Sequence, residues 1–129
     1  MATFKRPDGS GITIAPSTVA RARRTIRNEI SGHPGHEGSA LFSPKQLVME
    51  TIDVVGPALQ ADTASFDKLT APDGSAVWFD AKKAKDARAP LTSEQSTNTN
   101  AVVTVGGTNQ RVSETVSEAQ AVIDAARAR

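Results

Sequence analysis

The chain has 129 residues, 38% of them hydrophobic, with four Phe, one Trp and no Tyr, so an interior must rest on Val, Ile, Leu and Ala in one ordinary domain or two very small ones. A formal charge of +1 gives no global field for nucleic acid or an anionic membrane, and the lack of cysteine excludes disulfides, thiolate zinc sites and a Cys nucleophile. No apolar run approaches the roughly 20 residues of a membrane span, and Met-Ala-Thr-Phe-Lys-Arg at the start lacks a following apolar stretch, so a soluble chain made in the cytosol is expected.

The first turn signal is Pro7-Asp8-Gly9-Ser10. Proline presets φ, the aspartate bonds its own backbone and glycine accepts positive φ, so this run predicts a hairpin continuing into Ile12-Thr13-Ile14. Next comes the only dense basic run, Arg21, Arg23, Arg24 and Arg27, with Val19, Ala22, Ile26 and Ile30 at helical spacing between them. That spacing favours an amphipathic segment with a solvated basic face, although helix and strand both remain open over residues 17–30. A salt-bridged protein contact is the alternative use, because arginine pairs bidentately with carboxylates. A nucleic-acid surface would need more basic area and stacking aromatics, and is the minority reading.

Residues 31–39 are polar and glycine-rich and predict an exposed loop. His33 and His36, with Glu37 beside them, are the only cluster with metal-ligand chemistry, yet zinc needs three or four ligands on a fixed frame, so an ordinary loop is expected and no metal. A weaker hairpin follows, Ala40–Phe42 and Gln46–Glu50 about Ser43-Pro44-Lys45. Ile52, Val55 and Leu59 then mark a helix that Gly56-Pro57 should kink or shorten.

The second part of the chain reads like the first. Pro72-Asp73-Gly74-Ser75 repeats the first turn 65 positions later, and Val112-Ser113-Glu114-Thr115 matches Val48-Met49-Glu50-Thr51 at an offset of 64. Strands are expected at Lys68–Ala71 and Ala76–Asp80, then at Ala101–Val105 and Gln110–Glu114 around Gly106-Gly107-Thr108-Asn109. Thr115 with Glu118 forms a capping box for a helix whose apolar face carries Val116, Ala119, Ile123 and Ala126. Residues 92–100 form the loop matching 31–39, and Lys82, Lys83, Lys85 and Arg88 match the arginine run, diluted by Asp80 and Asp86.

The fold expected is α+β: tandem copies over residues 1–63 and 64–129, each a small antiparallel sheet of two hairpins with a C-terminal helix. The second copy is the more regular, so Val116→Asp is expected to unfold the chain more readily than Ile52→Asp. Glu50 and Glu114 each precede a helix and are expected to serve its dipole. Val77 and Phe79 align with Ile12 and Ile14 on the core face, which puts Trp78 on the other face, as a partner anchor or as a cover between the copies.

Leu69-Thr70-Ala71-Pro72-Asp73-Gly74-Ser75, then a glycine turn, then Val112-Ser113-Glu114-Thr115-Val116, resembles the small flagellar protein family FlbD, whose short units also occur in phage genomes. The resemblance covers about fifty residues of the second copy, and implies no active site. There is no phosphate loop, no ordered Ser-His-Asp set and no paired acidic motif, so no enzyme, cofactor or metal is expected. The expected role is a structural or interaction subunit of a larger assembly, with a phage virion decoration or connector protein as its concrete form, located in the virion if phage-encoded and otherwise cytoplasmic. The alternatives are a flagellar or regulatory adaptor, and a nucleic-acid module on Arg21–Arg27. Protein partners or a lattice, in a homo- or hetero-oligomer, are expected to meet Trp78, Arg21, Arg23, Arg24, Arg27, His33 and His36.

Overall fold

Each Pro-Asp-Gly-Ser run closes a hairpin through the same bonds in the computed structural model, which describes residues 2–26, 29–30, 32, 35–42 and 45–129. In the first, Asp8 Oδ1 accepts from Ser10 N and Ser10 Oγ at 2.8 and 2.6 Å, and Arg6 N donates to Ser10 O at 2.8 Å. In the second, Asp73 Oδ1 accepts from Ser75 N and Oγ at 2.9 and 2.6 Å, and Ala71 N donates to Ser75 O at 2.8 Å. Gly9 and Gly74 take φ of +88° and +89°, a region that a side chain would strain.

The first turn joins β1 (Ala2–Lys5) to β2 (Gly11–Ile14), and the second joins β6 (Phe66–Thr70) to β7 (Ala76–Asp80). Between them run β3 (Arg21–Arg24), β4 (Ser39–Phe42), β5 (Gln46–Val48) and helix α1 (Ile52–Asp62). After them come β8 (Ala101–Val105), β9 (Thr108–Val112) and helix α2 (Val116–Arg127). The architecture is α+β with antiparallel pairing: a five-stranded sheet in the order β5-β4-β3-β7-β6, and two-stranded sheets β1-β2 and β8-β9.

The sheet does not stop at the join near Asp62–Ser65. β3 pairs with β7, Ala22 opposite Trp78, so strands from residues 1–63 and 64–129 share one ladder. Two cores result. One is built on Leu69, Phe79, Val103, Val112, Ala119 and Ile123 under α2, and takes in Ala20 from the first half. The other is built on Phe4, Leu41, Val48, Val55 and Leu59 under α1, and takes in Phe66 and Trp78 from the second. Hairpin β6–β7 is therefore covered by a helix on each face.

Residues 21–24 are a strand, which decides between the helix and the strand left open over residues 17–30. Ladders from β4 on one side and β7 on the other hold it extended, with Ala22 fully buried in the α1 core. Helix α1 runs unbroken through Gly56-Pro57 over 11 residues. A proline there removes one N–H, but the helix gains from the buried packing of Ile52, Val55 and Leu59. Helix α2 starts on the expected capping box, with Glu118 N donating to Thr115 Oγ1 at 3.2 Å and Thr115 N to Glu118 Oε1 at 3.0 Å. Among the described residues, no helix is long and apolar enough to cross a membrane.

Glu50 and Glu114 have partners other than a helix terminus. Lys5 N donates to both carboxylate oxygens of Glu50 at 2.9 and 3.1 Å, and Thr70 N to both of Glu114 at 2.9 and 3.0 Å. Met49 N donates to Lys5 O and Ser113 N to Thr70 O, both at 2.8 Å. Each glutamate thus closes the outer edge of a hairpin strand by satisfying an amide that the ladder leaves open.

Candidate interaction surface

Alternation along β3 sends Ala22 into the α1 core and Arg21 and Arg23 to the opposite face. There the two guanidinium groups lie against one aromatic ring, Arg21 at 4.4 Å and Arg23 at 5.3 Å from the Phe42 centroid. Arg21 is 7% exposed and donates through Nη1 to Gln110 Oε1 of β9, while its Nε is buried without a partner. Burial lowers its pKa, and the neighbouring charge of Arg23 adds to the effect.

Arg23 forms a two-pronged pair with Glu29, both bonds at 3.0 Å. Glu29 also accepts from Lys45 Nζ at 2.7 Å and from Ile26 N at 2.9 Å. The Arg23 hydrogen bonds, opposed by burial and reinforced by Lys45, hold the Glu29 carboxyl down at about 2. Arg24 reaches Asp73 in the second turn at 2.8 Å. Arg21, Arg23 and Arg24 are thus engaged within the chain, Arg23 and Arg24 through carboxylates and Arg21 through Gln110. Arg27, His33 and turn positions 43–44 lie outside the described residues.

The sequence reading missed the same pair farther on. Arg88 grips Glu94 with bonds of 2.6 and 2.9 Å, Leu91 N donates to Glu94 Oε1 at 2.9 Å, and Arg88 holds that carboxyl at about 2. The signal was present: Arg23, Ile26 and Glu29 recur as Arg88, Leu91 and Glu94, each 65 positions on. Both staples fix a loop whose tip displays an aliphatic side chain, Ile26 at 66% and Leu91 at 59% exposure. Sequence reasoning weighted the charge run and overlooked the carboxylates that neutralise it.

These depressed carboxylates set an acid limit. Because both folded pKa values lie below the ordinary 4.5, ionised Glu29 and Glu94 favour the folded chain above about pH 4.5, and their contribution drains away as pH falls towards 2. Urea unfolding at pH 7, 4.5 and 2.5 is expected to show a loss confined to the lowest step, and Glu29→Gln should reduce that loss. An equal acid loss in the variant would remove Glu29 from the account.

Trp78 keeps the predicted phase, opposite Val77 and Phe79, but it is only 7% exposed. Its indole lies against Gly56 of α1 and among the α1 core side chains, so it covers the junction between the halves and is not a free anchor for an outside partner. Lys68 Nζ stands 5.8 Å from its ring. His36 Nε2 is bonded to Met49 O at 2.9 Å, and no group of three or more His, Asp or Glu that could hold a metal occurs among the described residues.

An open cleft of about 460 Å³ lies between the two halves, bordered by Arg23, Arg24, Ile26, His36, Asp73 and Gln110. Its arginines are paired, and its Ser75 hydroxyl is committed to Asp73 in the turn. The arrangement offers a polar surface with an aliphatic rim at Ile26. Comparison with protein-family models, curated proteins and solved structures gives no match.

Proposed function

We propose that this chain is an internally duplicated, non-enzymatic structural or protein-interaction subunit of a larger assembly, with a virion decoration or connector protein as its concrete form. The observation that carries the duplication is the recurrence, 64 or 65 residues apart, of one bonding scheme: turn aspartate to serine, strand amide to glutamate, and arginine to glutamate below an aliphatic loop tip. Such bonds depend on geometry as well as residue type, so their joint recurrence speaks for two copies of one unit. The use of charged side chains in internal staples, with aliphatic tips left outside, suits a scaffold that presents surfaces.

The nucleic-acid reading is not put forward, since Arg21, Arg23 and Arg24 already have partners. A flagellar or regulatory adaptor stays as the second reading, supported by the FlbD-like run at Leu69–Ser75 and Val112–Val116. Mass spectrometry of purified virions and of flagellar preparations from the native host separates the two. Stoichiometric recovery with virions is the expected result, and a chain confined to the unassembled fraction would overturn it.

A further inference from the structure

Strand β2 is an edge. Among the described residues it pairs only with β1, and a Cβ built on Gly11 at its start would meet nothing within 4 Å. The Arg6 N to Ser10 O bond fixes the alternation of the ladder: Ile12 and Ile14 turn their backbone groups towards β1, while Thr13 turns its N–H and C=O outwards. Ile12 and Ile14 are half-buried, and with Val19, Leu41 and Phe42 they rim an apolar hollow of about 170 Å³. An open edge beside apolar surface is a template for another strand.

The chain itself shows what such an edge takes. β7 corresponds to β2 in the second half, and its edge is covered by antiparallel β3. The stretch 84–89, whose residues 86–89 correspond to β3, bonds β8 through Arg88 and Val102. Its other side is closed by α2: Ala87 N donates to Gln120 Oε1 at 2.8 Å, and Arg127 binds Ala84 O, Ala81 O and Asp86 at 2.6, 3.1 and 2.9 Å. One end of the two-unit array is therefore sealed by polar side chains and the other is open. A sealed end blocks head-to-tail growth, so the contact that satisfies the open edge of both partners is isologous.

We infer that β2 pairs with β2 of a second copy of this chain, antiparallel and centred on Thr13, to form a closed two-fold dimer. This rests on the duplication proposed above. In that register each Thr13 exchanges both backbone bonds with its counterpart, and Ile12 of one copy stands beside Ile14 of the other above the apolar hollow. Four-residue strands give a small contact, so the dimer exchanges with monomer.

Sedimentation of the full chain over a concentration series is expected to give a monomer–dimer equilibrium. Thr13→Pro removes an outward N–H at an edge, where proline is tolerated, and should leave a folded monomer. Thr13→Cys, the only thiol in its chain, should form a covalent dimer on oxidation, because hydrogen-bonded opposite residues lie roughly 5.5 Å apart between Cα atoms. Val54→Cys on the exposed side of α1, away from the proposed contact, should form no covalent dimer under the same oxidation. A wild-type monomer up to the solubility limit, species larger than dimers, or a dimer that survives Thr13→Pro would each overturn the inference. If Thr13→Pro fails to fold, the Thr13→Cys cross-link decides alone. Failure here leaves the assembly reading standing, and absence from particles leaves the dimer standing.

Discussion

Gly56→Ala is expected to destabilise the chain by about 3 kcal/mol, the upper part of the range for overpacking a tight core. In an ordinary helix the same change would stabilise by about 1 kcal/mol, because alanine is the better helix former. Here the sign reverses, because a Cβ on Gly56 would fall 2.0 Å from Cε2 and Nε1 of Trp78. The neighbour is a rigid bicyclic ring buried between α1 and β7, the strand that carries it, so it cannot swing aside as a flexible chain would. Denaturant unfolding of Gly56→Ala, Trp78→Leu and the double variant tests this as a cycle. With the indole gone, Gly56→Ala should become neutral or stabilising. A stabilising Gly56→Ala in the wild-type background would mean that the ring is not seated on the helix.

Ile52→Asp should cost about 4 kcal/mol, because it puts an unpaired carboxylate into the α1 core. Ile52 is 4% exposed and packs with Val55, Leu59 and Phe66. Val116→Asp should cost about 1–2 kcal/mol, the price of partial burial, since Val116 sits at the margin of the α2 core. Both residues open a helix, so the dipole favours an acid equally at each and cancels from the comparison. This order is the reverse of the one expected from the sequence, where the intact capping box and stripe of α2 suggested that the second half carries more of the stability. Regularity of pattern measures how well a helix starts; depth of burial measures what a charge there costs. Thermal unfolding of both variants at neutral pH checks the order, and a larger drop for Val116→Asp would restore the first expectation.

Local chemistry was legible where a short run determines its own conformation. Pro7–Ser10, Pro72–Ser75 and Thr115–Glu118 each carry their partners within four residues, and each adopts the expected bonds. β3 was not legible, because Arg21–Arg24 holds one apolar residue and is extended only through ladders to strands that arrive later in the chain. The phase of Trp78 followed from alternation, but its burial required knowing that β7 docks on β3 and so comes under α1. Gly56-Pro57 read as a helix breaker because the indole that needs the glycine lies 22 positions away. Of the candidate surface, the arginines were visible as a charge run, whereas Glu29, Glu94 and Gln110 stood out only once their partners were placed.

The shared ladder also bears on what the two halves are to each other. Neither holds a complete interior: the first lacks Phe66 and Trp78, and the second lacks Ala20. A break in the backbone between Asp62 and Ser65 would separate two pieces that remain complementary fragments, bound through β3 and β7. Neither piece would be an autonomous domain. The two halves are in this sense obligate to each other, each serving as the permanent ligand of the other.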